Sequence, residues 1–309
     1  MRQIFSLLLL VSTTLAASAQ QAVNGNGKSQ PNDLGWTSSM NFEGNVDSSQ
    51  RVLDLNSSVG YNFTQHWGAD LGVPFEFVSS TSTTTTTSGS GNGVSSTSSN
   101  TTSSLNSIGN VFTDLRYSAK SEVANYSSSL MGSAPTGSKT NGISTGRATV
   151  GWNNHLEHEF GFLTPFIEAG FGNSVMDTRL NHRPFTTLGL VSQFAGGTSI
   201  DLGHNFSVGA SLYDVLPSGQ QKLYSKLVAR GIGKAVGKGN HGRAYELAAE
   251  TVGTSSLTRD NGDSAWVEYS PGALDFQVGY THSVHYAYNT FAFSAGVNLG
   301  KLMRKASGY

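Results

Sequence analysis

The stretch from Leu53 to Phe77, LDLNSSVGYNFTQHWGADLGVPFEF, alternates apolar and polar residues over most of its length. Leu53, Leu55, Val59, Tyr61 and Phe63 share one parity, and Asp54, Asn56, Ser58, Gly60 and Asn62 the other. After the turn-like TQH the pattern restarts, with Trp67, Ala69, Leu71, Val73, Phe75 and Phe77 set against Gly68, Asp70, Gly72, Pro74 and Glu76. A period of two held over about ten residues predicts a β-strand with one apolar and one polar face. The same rhythm recurs from Gly35 onward. It predicts twelve strands, at 35–45, 51–63, 66–78, 107–118, 123–134, 145–156, 161–172, 185–202, 205–216, 262–270, 273–283 and 289–300.

The connections TQH, KSEV, EHEFG, GHN and SPGA are short. They alternate with connections at 46–50, 79–106, 135–144, 173–184, 217–261 and 284–288, of which only the first and last are brief. Short turns at one rim and long loops at the other predict an all-β fold: a transmembrane, antiparallel, up-and-down β-barrel with periplasmic turns and extracellular loops. The alternative is a soluble β-sandwich, whose apolar parity points into a core and whose polar parity meets water. Two observations favour the barrel. Aromatic residues such as Trp36, Tyr61, Phe63, Trp67, Tyr117, Phe206 and Tyr269 stand near strand ends, as interfacial girdles do. The polar parity is rich in Ser, Asn and Gly, whereas a water-facing sheet normally carries many Lys and Glu.

Composition sharpens this picture. Charged residues are 13% of the 309-residue chain, about half the usual fraction near 25%, so the polar faces are hydrophilic without being ionic. A net charge of −1 gives no field to gather nucleic acid, and no nucleic-acid partner is expected. Cysteine is absent, so stability must come from something other than disulfides; a closed ring of backbone hydrogen bonds is one such means.

The first residues, MRQIFSLLLLVSTTLAASAQ, combine Arg2, an apolar run from Ile4 to Val11 and the small triplet Ala17-Ser18-Ala19. They read as a secretory signal peptide over 1–19, too short to span a bilayer as a helix. A short polar segment at 20–34, the barrel at 35–300 and a tail at 301–309 follow. Export plus membrane strands places the mature protein in the outer membrane of a Gram-negative bacterium. The expected partners are outer-membrane lipid and lipopolysaccharide, the barrel-assembly machinery during biogenesis, and a small-molecule solute.

Two long loops are distinctive. Residues 79–106 are an almost uncharged Ser/Thr tract expected to form a flexible outer loop. Residues 217–261 carry Lys222, Lys226, Arg230, Lys234 and Lys238 spaced by fours, which would put them near one helical face toward surface phosphates or simply toward solvent.

Twelve strands about 4.8 Å apart, tilted near 45°, give a backbone radius of about 13 Å, enough for a lumen wider than a filled eight-stranded barrel. Asp54, Asp70, Glu76, Asp114, Arg116, Arg147, Glu168, Asp201 and Asp275 fall on the inward parity and are the candidate lumen-lining binding residues. They either set selectivity or pair across the lumen and block it. Pro74 and Pro165 lie within predicted strands, where proline removes a ladder hydrogen bond. Pro74 with Gly72 beside it is the candidate lateral opening toward lipid; a local bulge is the alternative.

Enzyme signals are weak. Gly142-Ile143-Ser144-Thr145-Gly146 matches G-x-S-x-G but precedes a strand instead of turning from strand to helix. His155 and His158 in HLEH point to opposite faces of a strand, which does not make a metal pair. No catalytic residue, cofactor or metal is expected. A barrel-embedded lipid hydrolase using Ser144, and a plugged adhesive barrel using the Ser/Thr loop, are the rivals to a channel.

The phrases SIGNVFTDLRYS, SAPTGS, GISTGRATVGWN, GFLTPFIEAGFGN and SVGASLYDVLPSGQQ resemble the family labelled MetA-pathway of phenol degradation, over roughly 105–300. The resemblance implies an outer-membrane barrel transporter distantly akin to the long-chain fatty-acid channels and speaks to class more than to substrate; the function expected is passive passage of small, hydrophobic or aromatic solutes. Those channels have more strands and an amino-terminal plug; here only the brief segment 20–34 precedes the first strand.

Overall fold

The computed structural model describes residues 34–47, 50–90, 93–228, 243–299 and 302–303. The predicted signal peptide, most of the polar segment after it, and the end of the tail lie outside them. Among the described residues, one antiparallel sheet holds fourteen strands: β1 (Gly35–Val46), β2 (Gln50–Asn62), β3 (Trp67–Ser90), β4 (Gly93–Ile108), β5 (Phe112–Lys120), β6 (Asn125–Ser133), β7 (Thr149–Glu157), β8 (Leu163–Gly172), β9 (Phe185–Gly203), β10 (Phe206–Ser225), β11 (Glu250–Gly253), β12 (Asp260–Tyr269), β13 (Leu274–Ser283) and β14 (Tyr288–Asn298). Each ring strand hydrogen-bonds to its sequence neighbour, and β14 pairs with β1 from Ser39↔Asn298 to Val46↔Phe291. The sheet therefore closes into a twelve-stranded barrel. Closure leaves no free edge, which is how strands satisfy their backbone groups away from water.

The two extra strands are elaborations of the long-loop rim. β3 pairs with β5 from Trp67↔Tyr117 to Gly72↔Phe112, then with β4 from Phe75↔Ile108 to Ser90↔Gly93. β4 and β5 are thus two halves of one return strand, broken at 109–111 by a bulge opposite Val73 and Pro74. The Gly109 N–H donates to the Pro74 carbonyl at 2.8 Å and bridges the break. The Ser/Thr tract, expected to be a flexible loop, is instead the far end of this hairpin. Its uncharged residues are good strand formers that need no core, because each can complete the backbone ladder with the other arm. β11 is a four-residue strand added beside the outer end of β10.

Turns and faces follow the local sequence. His204 and Asn205 at the β9–β10 turn both have positive φ, 54° and 66°, the geometry of a tight hairpin turn. The apolar parity faces outward and the polar parity inward: Leu71 is 50% exposed while its neighbour Asp70 is 9% exposed. Aromatic pairs gird the short-turn rim, with ring centroids 5.3 Å apart for Trp36 and Tyr61, 4.9 Å for Trp67 and Tyr117, and 4.4 Å for Phe206 and Tyr269.

The basic segment after β10 departs from expectation. Strand pairing continues to Ser225, which puts Lys222 on a strand instead of a helix, and Lys226 turns into the barrel. Arg230, Lys234 and Lys238 lie outside the described residues. Among the described residues of this segment, helix is confined to α1 (Ala244–Leu247), one turn long, and a 3-10 turn at Ser255–Leu257. Its Tyr245 stacks on Phe185 at 5.1 Å and joins Leu223, Tyr286 and Tyr288 in an apolar cluster inside the long-loop mouth.

Candidate functional site

The lumen is occupied by loops. The segment between β8 and β9, Asn173–Pro184, folds down inside the ring, and its Arg179, Leu180, Asn181, His182 and Arg183 are all buried. Leu180 packs with Phe166, Trp266 and Ala292, and its carbonyl accepts from the Thr281 hydroxyl at 2.9 Å. Gly279 makes this seat: a Cβ there would stand 2.5 Å from a Leu180 methyl.

Around this anchor the loop's cations meet the wall's acids. Arg179 Nη2 donates to Asp275 and, at 2.5 Å, to the Ser294 hydroxyl, while its Nε lies 4.0 Å from Glu43. His182 sits between two carboxylates, with Nδ1 2.7 Å from Asp54 and Nε2 3.6 Å from Glu43. Burial alone would lower the His182 pKa, but bonds and charge from Asp54 and Glu43 outweigh it and raise it to about 10. Arg183 pairs with Asp177 at 3.3 Å within the loop and with Asp260 of β12 at 3.8 Å. From the other side Lys226 reaches Glu76 of β3 at 2.5 Å.

A second loop, 134–148, closes the mouth. Ile143 packs with Val52, Val78 and Leu105. Gly142, at φ 69°, lies so close to β10 that a Cβ would be 2.0 Å from the Ser225 carbonyl oxygen. Below the 173–184 loop a cavity of about 70 Å³ remains, lined by Asn153, Phe166, Glu168, Leu180, Asn181 and Arg183, among others.

Of the lumen-lining candidates, the structure brings Asp54, Glu76 and Asp275 to the inward-folded loops as described. Asp70 accepts from Arg116, and Asp114 accepts from the Ser129 hydroxyl; both pairs sit on the inner wall toward the short-turn rim. Glu168 meets His155 at 2.8 Å. Two candidates lie elsewhere. Arg147 is exposed in the loop before β7, because the turns at Gly142 and Gly146 delay the strand to Thr149. Asp201 is exposed at the short-turn rim, where its carboxylate accepts the Gly203 N–H at 2.7 Å and caps the turn.

Gly72 and Pro74, the candidate lateral opening, stand beside the bulge. β2 pairs without interruption past Pro74 at Asn56, and on the other side Gly109 bonds the Pro74 carbonyl. Gly72 instead leaves room for the Phe112 ring, which would be 2.2 Å from a Cβ there. Ser144 is fully buried and its hydroxyl accepts the Gly146 N–H at 3.1 Å, with no described bond to a histidine. His155 lies inside between Glu157 and Glu168, while His158 is at the short-turn rim against the Val123 carbonyl, so the two do not meet.

No family model and no curated protein matches the chain. Solved structures do. An outer membrane channel from Pseudomonas putida F1 superposes with a TM-score of 0.51 over 88% of this chain and 98% of its own, at 10% identity. The fold is that of an outer-membrane β-barrel. Two further outer-membrane barrels are more distant: the NanC porin, at a TM-score of 0.43, 9% identity and coverage of 84% and 98%, and a Pseudomonas aeruginosa FadL homologue, at 0.37, 8%, 94% and 99%. The apolar parity is exposed around the outside of the ring, the arrangement of a barrel whose wall faces lipid.

The inward-facing residues that sequence reasoning overlooked are Glu43, Asp177, Arg179, His182, Arg183, Lys226 and Asp260. A signal existed: the run MDTRLNHRP puts four ionisable groups into one loop of a chain otherwise sparing with charge.

Proposed function

We propose that the protein is a gated passive channel of the outer membrane for small, hydrophobic or aromatic solutes. The observation that carries this reading is the nature of the blockage. The ring's own inward side chains are mostly polar, and the 173–184 loop that obstructs it is held mainly by ion pairs, with Leu180 and Val175 as its apolar contacts. Such an obstruction is displaceable without opening the barrel wall. A stability plug would be better served by apolar packing, since buried ion pairs recover little net free energy after desolvation. Hydrophobic or aromatic solutes are favoured by the Phe185, Tyr245, Tyr286 and Tyr288 cluster in the mouth and by the resemblance to the phenol-degradation family. The shared fold of the Pseudomonas putida F1 outer membrane channel is consistent with conduction.

The test is conductance in planar bilayers, comparing the wild type with a variant whose residues 176–181 are replaced by a short Gly/Ser linker. The expected result is brief, infrequent openings in the wild type and a persistently open, severalfold larger conductance in the variant. If neither conducts while both migrate as folded barrels, the channel reading is wrong. Uptake of a phenol against a sugar of similar size into liposomes then tests solute class.

A further inference from the structure

We propose that Asp54, Asp177 and His182 form a binding site for one divalent transition-metal ion, with Zn²⁺ the best fit, which pins the 173–184 loop to β2. The proposal goes beyond conduction and does not depend on it. One ligand atom from each of the three residues lies within 4.8 Å of the others, although two come from the loop and one from the wall. Ligands at about 2.0–2.2 Å from a zinc ion stand a little over 3 Å from one another, so His182 Nδ1 and Asp54, now 2.7 Å apart, must part by a few tenths of an ångström while the third ligand draws in, as a loop can. One imidazole and two carboxylates make a nitrogen and oxygen set suited to zinc; calcium and magnesium prefer oxygen alone.

Two independent features point to a missing cation. Asp54 is buried, and its Oδ1 has no hydrogen-bond partner. Leaving a buried carboxylate oxygen unsatisfied is costly, and a coordinated ion removes that cost. Secondly, Glu43 stands behind the imidazole, its Oε2 3.6 Å from His182 Nε2, and neither Glu43 oxygen has a hydrogen-bond partner. A metal-ligating histidine characteristically directs its other ring nitrogen at a carboxylate in this way. With Nδ1 as the ligand on the Asp54 side, Nε2–H would donate to Glu43.

The charges around the site are Glu43, Glu76, Lys226, Arg179 and Arg183. Arg183 holds one oxygen of Asp177 at 3.3 Å and Lys226 is drawn to Glu76 at 2.5 Å, so the nearby cations are each engaged with a carboxylate. Metal binding exchanges the extra proton on His182 for the ion and releases it to solvent, which balances the step. The rival occupant is that proton itself, with His182 as a permanent imidazolium between Asp54 and Glu43.

The experiment uses the full mature chain, folded in detergent, stripped with chelator and then titrated with Zn²⁺ and with Co²⁺ as a spectroscopic probe. One metal per chain is expected, with visible Co²⁺ bands that Zn²⁺ abolishes. His182→Ala is expected to abolish binding. Asp177→Asn, at the more accessible ligand, and Glu43→Gln, behind the imidazole, are each expected to weaken it about 10–100-fold. Substoichiometric metal in the wild type would overturn the proposal. So would binding unchanged in Asp177→Asn, a variant whose folding is checked by its heat-dependent gel mobility.

Discussion

At the scale of single residues, the interior is a set of charge pairs in which the loops supply most of the cations and the strands most of the acids. Lys226 and Glu76 illustrate the energetics. Each is almost wholly withdrawn from solvent, at 3% and 10% side-chain exposure, so neither is tolerated alone. Lys226→Met should destabilise the folded barrel by about 3–5 kcal/mol in urea unfolding, because it strands a buried carboxylate. The double variant Lys226→Met with Glu76→Gln should recover most of that loss, and a double-mutant cycle measures the coupling. The acid half of these pairs was legible: Asp54, Glu76 and Asp275 announce themselves by standing on the polar parity of apolar strands. The cationic half was not. Periodicity assigns faces only within strands, and Arg179, His182 and Arg183 lie in a loop whose path is decided by partners remote in sequence, such as Asp54, 128 residues from His182.

At the scale of elements, strands read well because alternation is a local property. Predicted boundaries such as 35–45, 51–63 and 273–283 fall within a few residues of β1, β2 and β13. Loops read poorly for two different reasons. The Ser/Thr tract has no hydrophobic pattern, yet backbone pairing alone carries it as a ribbon. The basic tract has helical charge spacing, but extension of the β9–β10 pairing, with a register shift between Ser218 and Lys222, overrides it. The ribbon makes no contribution to ring closure, which is complete below Val78 and Leu105. Replacing residues 82–101 with an Asn-Gly turn should therefore leave folding, heat-dependent mobility and thermal midpoint nearly unchanged. The 134–148 loop should be less forgiving. Gly142→Val places a β-branched side chain at positive φ and against the Ser225 carbonyl, and limited proteolysis should then cut within 135–148 where the wild type resists.

At the scale of the whole molecule, the outward and inward faces obey opposite rules. Val278, 62% exposed at the middle of β13, projects into lipid. Val278→Arg should cost about 2–4 kcal/mol in bilayer folding equilibria if the site is near the midplane, with the same substitution at a strand end costing far less. On a water-facing sheet the same substitution would cost little at either position.

The seam between β1 and β14 has its own consequence. It joins Ser39 to Asn298, so the contact that makes the ring a ring spans nearly all of the described residues. Entropy makes such a pairing slow, and it cannot begin until the last strand has been delivered. Until that moment every intermediate is an open ribbon with two sticky margins. A chain cut short before Tyr288 would lose all of β14 and would be an unsealed sheet, not a slightly smaller pore.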